Sequence, residues 1–247
     1  MDKSLFLSCE MAEFSNVSAW FLDTQSRHDK TDDLENNFRK GVKAIACLLS
    51  FQLLLRILGP MDVTNESYFA RRSCVAMGAL YLAKTALQTA VLTKRRIYLI
   101  ELCIEFGILW PASFALFGIC LNHLQIEHTC KRDSSIYILT IFVFALGSQL
   151  YNEYRRKIYK ETNANRVFTE AGFKLCRHIN YLCEIIMVFL MGYICGGGLA
   201  FIPPFLVAFR MVCLSIPELE YYMRVTYGED WITYTKKTKT ILIPYIG

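Results

Sequence analysis

Several local patterns that mark protein classes are missing from this sequence. Its ten cysteines form no Cys-x-x-Cys pair, and no histidine pair has metal-ligand spacing, so neither a zinc site nor a disulfide framework is expected. No ten-residue stretches alternate between apolar and polar residues, as transmembrane β-strands would. Residues 1–41 are polar and contain no apolar core beside a cleavage site. A removable signal peptide is therefore not expected.

Apolar residues are abundant and occur in long blocks. Hydrophobic residues make up 54% of the 247 residues and aromatic residues 14%. Helices and closed barrels alone can span a bilayer, so the sequence predicts an all-α, polytopic integral membrane protein. Six spans are predicted, at 42–58, 74–92, 97–121, 135–151, 182–195 and 199–216. The chain then divides into a polar N-terminal segment (1–41), three membrane spans (42–134) and a C-terminal membrane domain (135–247).

Basic residues between the predicted spans indicate the orientation. Lys43, Lys94–Arg96 and seven basic residues between 155 and 177 would all lie on one side of a six-span protein. The positive-inside rule places that side, both termini and the C-terminal domain's polar segments in the cytoplasm. The net charge of +5 is explained by this topology and by phosphate attraction, and it does not indicate nucleic-acid binding. Basic residues at 155–160 favour contact with anionic lipid headgroups.

Ionisable side chains recur at helical spacing inside two predicted spans. Lys84 lies in the second span, and Tyr98, Glu101 and Glu105 share one face of the third. If the Lys94–Arg96 turn folds the two spans together, Lys84 and Glu105 reach the same depth and can pair. Two interpretations stay open. In the first, the residues form a structural ion pair or their side chains extend to the membrane–water interface. In the second, an acid here donates a proton to a lipid-soluble substrate.

The segment 177–184 places polar and ionisable side chains against the start of an apolar run. Ionisable groups beside a bilayer are candidates for a functional site. Arginine offers a planar fork for phosphate, asparagine an amide, and tyrosine a ring that can stack on a base. The candidate residues for binding a soluble cofactor are Arg177, His178, Asn180, Tyr181 and Glu184, with Tyr234 and Lys237 from a second polar segment near the C-terminus.

These segments carry a resemblance to a known family. RHINYLCE at 177–184 is preceded by Gly172-Phe173 and followed by SIPELEYYM, YGEDW, Tyr234 and LIPY. This pattern resembles the C-terminal half of the steroid 5-alpha-reductase and sterol reductase family, including a related domain of unknown function. The same superfamily contains isoprenylcysteine carboxyl methyltransferases. The resemblance covers residues 147–247 and implies a reductase-like membrane domain that encloses a cofactor on the cytoplasmic side.

The resemblance implies a function and leaves alternatives. His-x-Asn-Tyr-x-x-Glu is similar to the reductase pattern that lines an NADPH pocket, which implies reduction of a carbon–carbon double bond in a steroid, sterol or other lipid. Tyr98, Glu101 or Glu105 would then supply the proton. Cys183 replaces the glycine usual in the family, so a degenerate, non-enzymatic relative stays open, as does an S-adenosylmethionine-dependent methyltransferase. The expected location is the endoplasmic reticulum, and no metal is expected.

Overall fold

The computed structural model describes residues 33–59, 68–89, 108–123, 132–163, 165–196 and 198–244. All regular secondary structure within these ranges is helical. The α-helices are α1 (Asp33–Leu58), α2 (Tyr68–Leu87), α3 (Trp110–His123), α4 (Arg132–Thr162), α5 (Ile179–Ile194), α6 (Ile202–Arg210), α7 (Ile216–Tyr227) and α8 (Glu229–Lys237). Short 3-10 helices at Ala171–Lys174 and Gly198–Phe201 precede α5 and α6, and a π-helical segment, Met211–Ser215, joins α6 to α7.

Three helical stretches of the described chain are long and apolar enough to cross a membrane. They are Asn37–Leu58, Asp133–Thr162 and Gly198–Tyr227. These stretches contain three of the predicted spans, and the prediction of a helical membrane protein is confirmed. Trp110–Asn122 and Ile179–Ile194 are apolar but shorter. Six spans stay a prediction, because residues 90–107, which include the end of the predicted second span and the start of the third, lie outside the described residues.

The main core lies between helices α1 to α5. Each of these helices contributes a large side chain that is at most 1% exposed: Leu54, Met77, Phe114, Phe142 and Met187. Dense contact between side chains is what holds helices together within a bilayer, because lipid tails are as apolar as the side chains themselves. This core fixes the positions of α2, α4 and α5, which carry the polar residues described below.

Two polar contacts fix the register of α2 against α5. The sulfur atoms of Cys74 and Cys195 lie 3.7 Å apart at one end, and Lys84 pairs with Glu184 at the other. The two contacts are separated by similar numbers of residues on the two helices. This separation corresponds to about 15 Å along the helix axis, at 1.5 Å per residue. Because the numbering rises on α2 as it falls on α5, the two helices are antiparallel.

A second, smaller core connects the C-terminal region to the segment before α5. Phe168 and Phe173 pack with Trp231 and Tyr234 of α8. The Tyr234 hydroxyl donates a hydrogen bond of 2.7 Å to the main-chain carbonyl of Phe173. This packing brings α7, α8 and the residues that follow them against the start of α5.

Candidate active site at the start of helix α5

Main-chain hydrogen bonds from the C-terminal segment hold the start of α5. Helix α5 begins at Ile179, directly after His178. The amides of Arg177 and His178 donate to the carbonyls of Thr240 and Ile241, at 3.1 and 3.0 Å. The segment around residues 240–241 therefore holds the start of the polar segment 177–184 in place.

Glu220 of α7 binds the first two predicted cofactor residues. Its Oε2 accepts a hydrogen bond of 3.1 Å from Arg177 Nη1, and its Oε1 lies 2.8 Å from His178 Nε2. The His178 ring also stacks on Tyr181, with ring centres 5.7 Å apart and planes 9° apart. One carboxylate thus orients the guanidinium, and the imidazole lies between this carboxylate and the tyrosine ring.

Asn180 is attached to α4 through a second carboxylate. Its Nδ2 donates to Glu153 Oε1, and Glu153 Oε2 accepts a bond of 2.6 Å from Arg156. A carboxylate only accepts hydrogen bonds, so this contact fixes which end of the Asn180 amide faces Glu153. The other end, Oδ1, is buried and has no hydrogen-bond partner among the described residues.

Glu184 lies one helical turn after Asn180 and is buried between three helices. Its Oε2 accepts hydrogen bonds from Lys84 of α2 and from Gln149 Nε2 of α4, the latter at 2.9 Å. The sequence predicted Glu105 as the partner of Lys84. Glu105 lies outside the described residues, and within them Lys84 pairs with Glu184.

Asn152 of α4 supports the loop that precedes the site. Its Oδ1 accepts a hydrogen bond of 2.9 Å from the Gly172 amide. A Cβ at residue 172 would lie 2.7 Å from Asn152 Nδ2, which is closer than van der Waals contact allows. Gly172, part of the resemblance, thus lies close to α4, and a side chain at this position would displace the Asn152 amide.

The other predicted cofactor residues occupy different surroundings. Tyr234 is buried in the second core, and this burial raises the pKa of its phenol well above the ordinary range. Lys237 is exposed in the last turn of α8. The Cys183 side chain is buried in the main core, so its thiol takes part in helix packing. Cofactor binding by Tyr234 and Lys237 stays a prediction, as does the proton-donor role of Tyr98, Glu101 and Glu105, which lie outside the described residues.

Sequence reasoning missed the residues that orient the site. Gln149, Asn152, Glu153 and Arg156 recur at i, i+3, i+4 and i+7 on α4, which places them on one face. This spacing could have indicated a polar face on α4. Residues 155–160, which include Arg156, were instead predicted to contact lipid headgroups. Glu220, 42 residues after His178, gave no comparable signal. Among the described residues no group of three or more potential metal ligands is found.

A groove in the described part of the chain lies apart from this cluster. It has a volume of about 380 Å³ and is lined by Leu49, Ser50, Gln52, Leu53, Arg56 and Pro111. None of these is a predicted site residue, and Arg56 is their one ionisable group. We therefore locate the candidate site by its chemistry, at the convergence of α2, α4, α5 and α7.

Comparison with known proteins gives a partial similarity. No protein-family model matches the chain. The chain is 34% identical over 92 residues to the Delta(14)-sterol reductase erg24 of Schizosaccharomyces pombe. The match covers 36% of this chain and 22% of that reductase, so the chain spans about a fifth of the relative's length. The similarity supports a sterol reductase-like relationship and gives no support to a link with isoprenylcysteine methyltransferases.

Proposed function

We propose that this protein is a membrane-embedded, NADPH-dependent reductase of a carbon–carbon double bond in a sterol, steroid or other lipid. The observation that carries the proposal is the cluster at the start of α5. Asn180, Tyr181 and Glu184 lie beside Arg177 and His178, in a helical membrane protein that is similar in part to a sterol reductase. His178, Asn180, Tyr181 and Glu184 belong to the reductase-like motif in the sequence, and Arg177 directly precedes it.

The residues present fit a nicotinamide nucleotide. Asn180 Oδ1 and Arg177 Nε are buried without a hydrogen-bond partner in the described part of the chain. Unpaired buried polar atoms are costly unless a bound molecule satisfies them. Asn180 and Glu184 offer acceptors for amide N–H groups, Tyr181 offers a ring for stacking, and Arg177 offers charge for phosphate. When bound, NADPH would supply a hydride.

The chain's own residues would bind the cofactor and move a proton. Reduction adds a hydride to one carbon of the double bond and a proton to its neighbour. Tyr98, Glu101 and Glu105 are our candidates for the proton, because an acid inside the membrane can reach a lipid-soluble substrate. Glu105→Gln should lower turnover by about 100-fold or more while cofactor affinity is unchanged, which is the range expected for lost general acid catalysis.

The proposed topology has six spans, with the start of α5 and the C-terminal region in the cytoplasm. The basic residues between spans support it. In this arrangement the exposed Lys237 and the largely buried Arg177 lie on the side of the membrane that holds the soluble nucleotide. We propose the endoplasmic reticulum as the location, since a sterol-like substrate resides in membranes.

Ligand-dependent thermal unfolding of the full chain in detergent tests the cofactor. A ligand of the native state stabilises it by about 2.7 kcal/mol at one hundred times its Kd. NADPH should raise the unfolding temperature more than NADH, because Arg177 can pair with the 2′-phosphate. Equal shifts would contradict the role given to the phosphate. A shift with S-adenosylmethionine alone would contradict the reductase and favour methyl transfer.

Substrate conversion tests the reaction itself. Purified protein in lipid vesicles would be incubated with NADPH and a panel of unsaturated sterols and steroids. Mass spectrometry should show a product heavier by two hydrogens, and deuterium at the nicotinamide C4 position should appear in it. Arg177→Ala should raise the NADPH concentration required by about tenfold or more, as expected for one lost charge-assisted hydrogen bond.

A further inference from the structure

The two oxygens of Glu184 are used unequally. Lys84 and Gln149 both bind Oε2, and Oε1 accepts no hydrogen bond from any residue in the described ranges. The Lys84 side chain is 2% exposed, whereas that of Glu184 is 10% exposed. The Lys84 ammonium is therefore buried inside the helix bundle, and Oε1 of Glu184 can accept a hydrogen bond from a further donor.

Asn180 repeats this pattern one helical turn earlier. Glu153 of α4 binds its Nδ2, and its Oδ1 stays unpaired within the described structure. Residues at i and i+4 lie about 5–6 Å apart on a helix surface. Helix α5 therefore presents two acceptor atoms on one face, each fixed by a protein contact to the opposite end of the same side chain.

We infer that Lys84 and Gln149 are positioning residues that hold Glu184 ionised, with Oε1 directed as an acceptor towards an N–H donor of the bound nucleotide. This inference rests on the proposed function and adds α2 to the cofactor site. The positive charge of Lys84 offsets the cost of burying the Glu184 carboxylate. Gln149 approaches from α4 and restricts the rotation of the same carboxyl group.

A purely structural pair would behave differently. Replacing a buried ion pair by apolar residues of similar size is often neutral or stabilising, so stability alone does not require Lys84 here. Removing only the Lys84 cation takes away the charge that is hydrogen-bonded to Glu184 and leaves Lys43 of α1 as a charge that acts on it from nearby. The buried carboxylate is then more easily protonated. A protonated Glu184 loses acceptor strength at the atom that would meet the ligand.

Binding measurements on four variants separate positioning from stability. We expect Lys84→Met to weaken NADPH affinity by about ten- to a hundredfold and Gln149→Leu by about three- to tenfold, the ranges for charged and neutral hydrogen bonds. Lys84→Arg keeps the charge and should restore affinity to within about threefold. Met77→Ala is the matched control, because it opens a cavity on α2 without touching Glu184. It should lower the unfolding temperature and leave affinity unchanged.

Two outcomes of this experiment would overturn the inference. One is wild-type affinity in Lys84→Met. The other is a loss in Met77→Ala as large as that in Lys84→Met, because binding would then follow stability alone. The charge-swapped double variant Lys84→Glu with Glu184→Lys adds a further check. It should recover stability but not NADPH binding, since the acceptor would be on the wrong helix, and recovered binding would also refute the inference.

Infrared spectroscopy tests the inference without any cofactor. The difference spectrum between wild type and Glu184→Gln should contain a carboxylate band, and the same difference measured in a Lys84→Met background should contain a protonated carboxyl band. If the wild type binds no NADPH, the proposed function fails, while these bands still decide the role of Lys84. A protonated carboxyl band for Glu184 in the wild type would refute that role.

Discussion

Removal of the Glu220 carboxylate should destabilise the start of α5. Glu220→Ala eliminates contacts of 3.1 Å to Arg177 and 2.8 Å to His178. Hydrogen bonds to charged groups contribute about 1.5–3 kcal/mol each. The Glu220 side chain is 25% exposed, so water replaces part of this interaction. We expect a loss of about 2–3 kcal/mol, roughly 5–10 °C in unfolding temperature for a chain of this length.

The assay is thermal unfolding of the full chain in detergent, followed by tryptophan fluorescence. Glu161→Ala is a suitable control, because it removes an exposed carboxylate from α4. Its unfolding temperature should stay within about 2 °C of the wild type, since exposed surface substitutions usually change stability by less than 0.5 kcal/mol. The comparison therefore separates the loss of this particular carboxylate from the general loss of one negative charge.

A double-mutant cycle identifies the partner. Glu220→Ala and Arg177→Ala should be non-additive by about 1–2 kcal/mol, because each single variant already removes the contact between them. Free energies that add within about 0.5 kcal/mol would show that the contact contributes nothing measurable. The reasoning that connects α7 to the start of α5 would then be wrong.

Three further predictions concern other parts of the structure. Gly172→Ala should cost about 1–3 kcal/mol, measured by thermal unfolding, because the new Cβ displaces Asn152; a neutral result would contradict the close approach. Tyr234→Phe should cost about 1 kcal/mol at neutral pH. Because burial raises the pKa of this phenol, the wild type should also lose stability as pH rises above about 10, whereas Tyr234→Phe should lose less; parallel pH curves would refute this. A tag at Gly247 should be labelled by an impermeant reagent in sealed microsomes, whose outer face is the cytoplasmic one, and protection of the tag would contradict the proposed topology.

The sequence predicts what depends on local pattern. The apolar runs identified helical spans in α1, α4 and the stretch from α6 to α7, and the crowding of polar side chains against an apolar run singled out residues 177–184. Contacts between distant elements could not be predicted in this way. Lys84 and Glu105 were predicted to lie at the same depth in the membrane and so to pair. Equal depth does not show which helix lies next to α2 at that level. The structure gives Glu184, one hundred residues away along the chain.

The paired contacts between α2 and α5 restrict how these helices can move. A sliding motion of one turn, about 5.4 Å, would separate Cys74 from Cys195 and Lys84 from Glu184 at the same time. The second separation would leave two charges unpaired in an apolar interior. Piston-like displacement is thus the costly motion for this helix pair. Tilting about the end held by Lys84 and Glu184 breaks only the weak contact between Cys74 and Cys195, so opening of this helix pair is expected to begin at the end that carries the two cysteines.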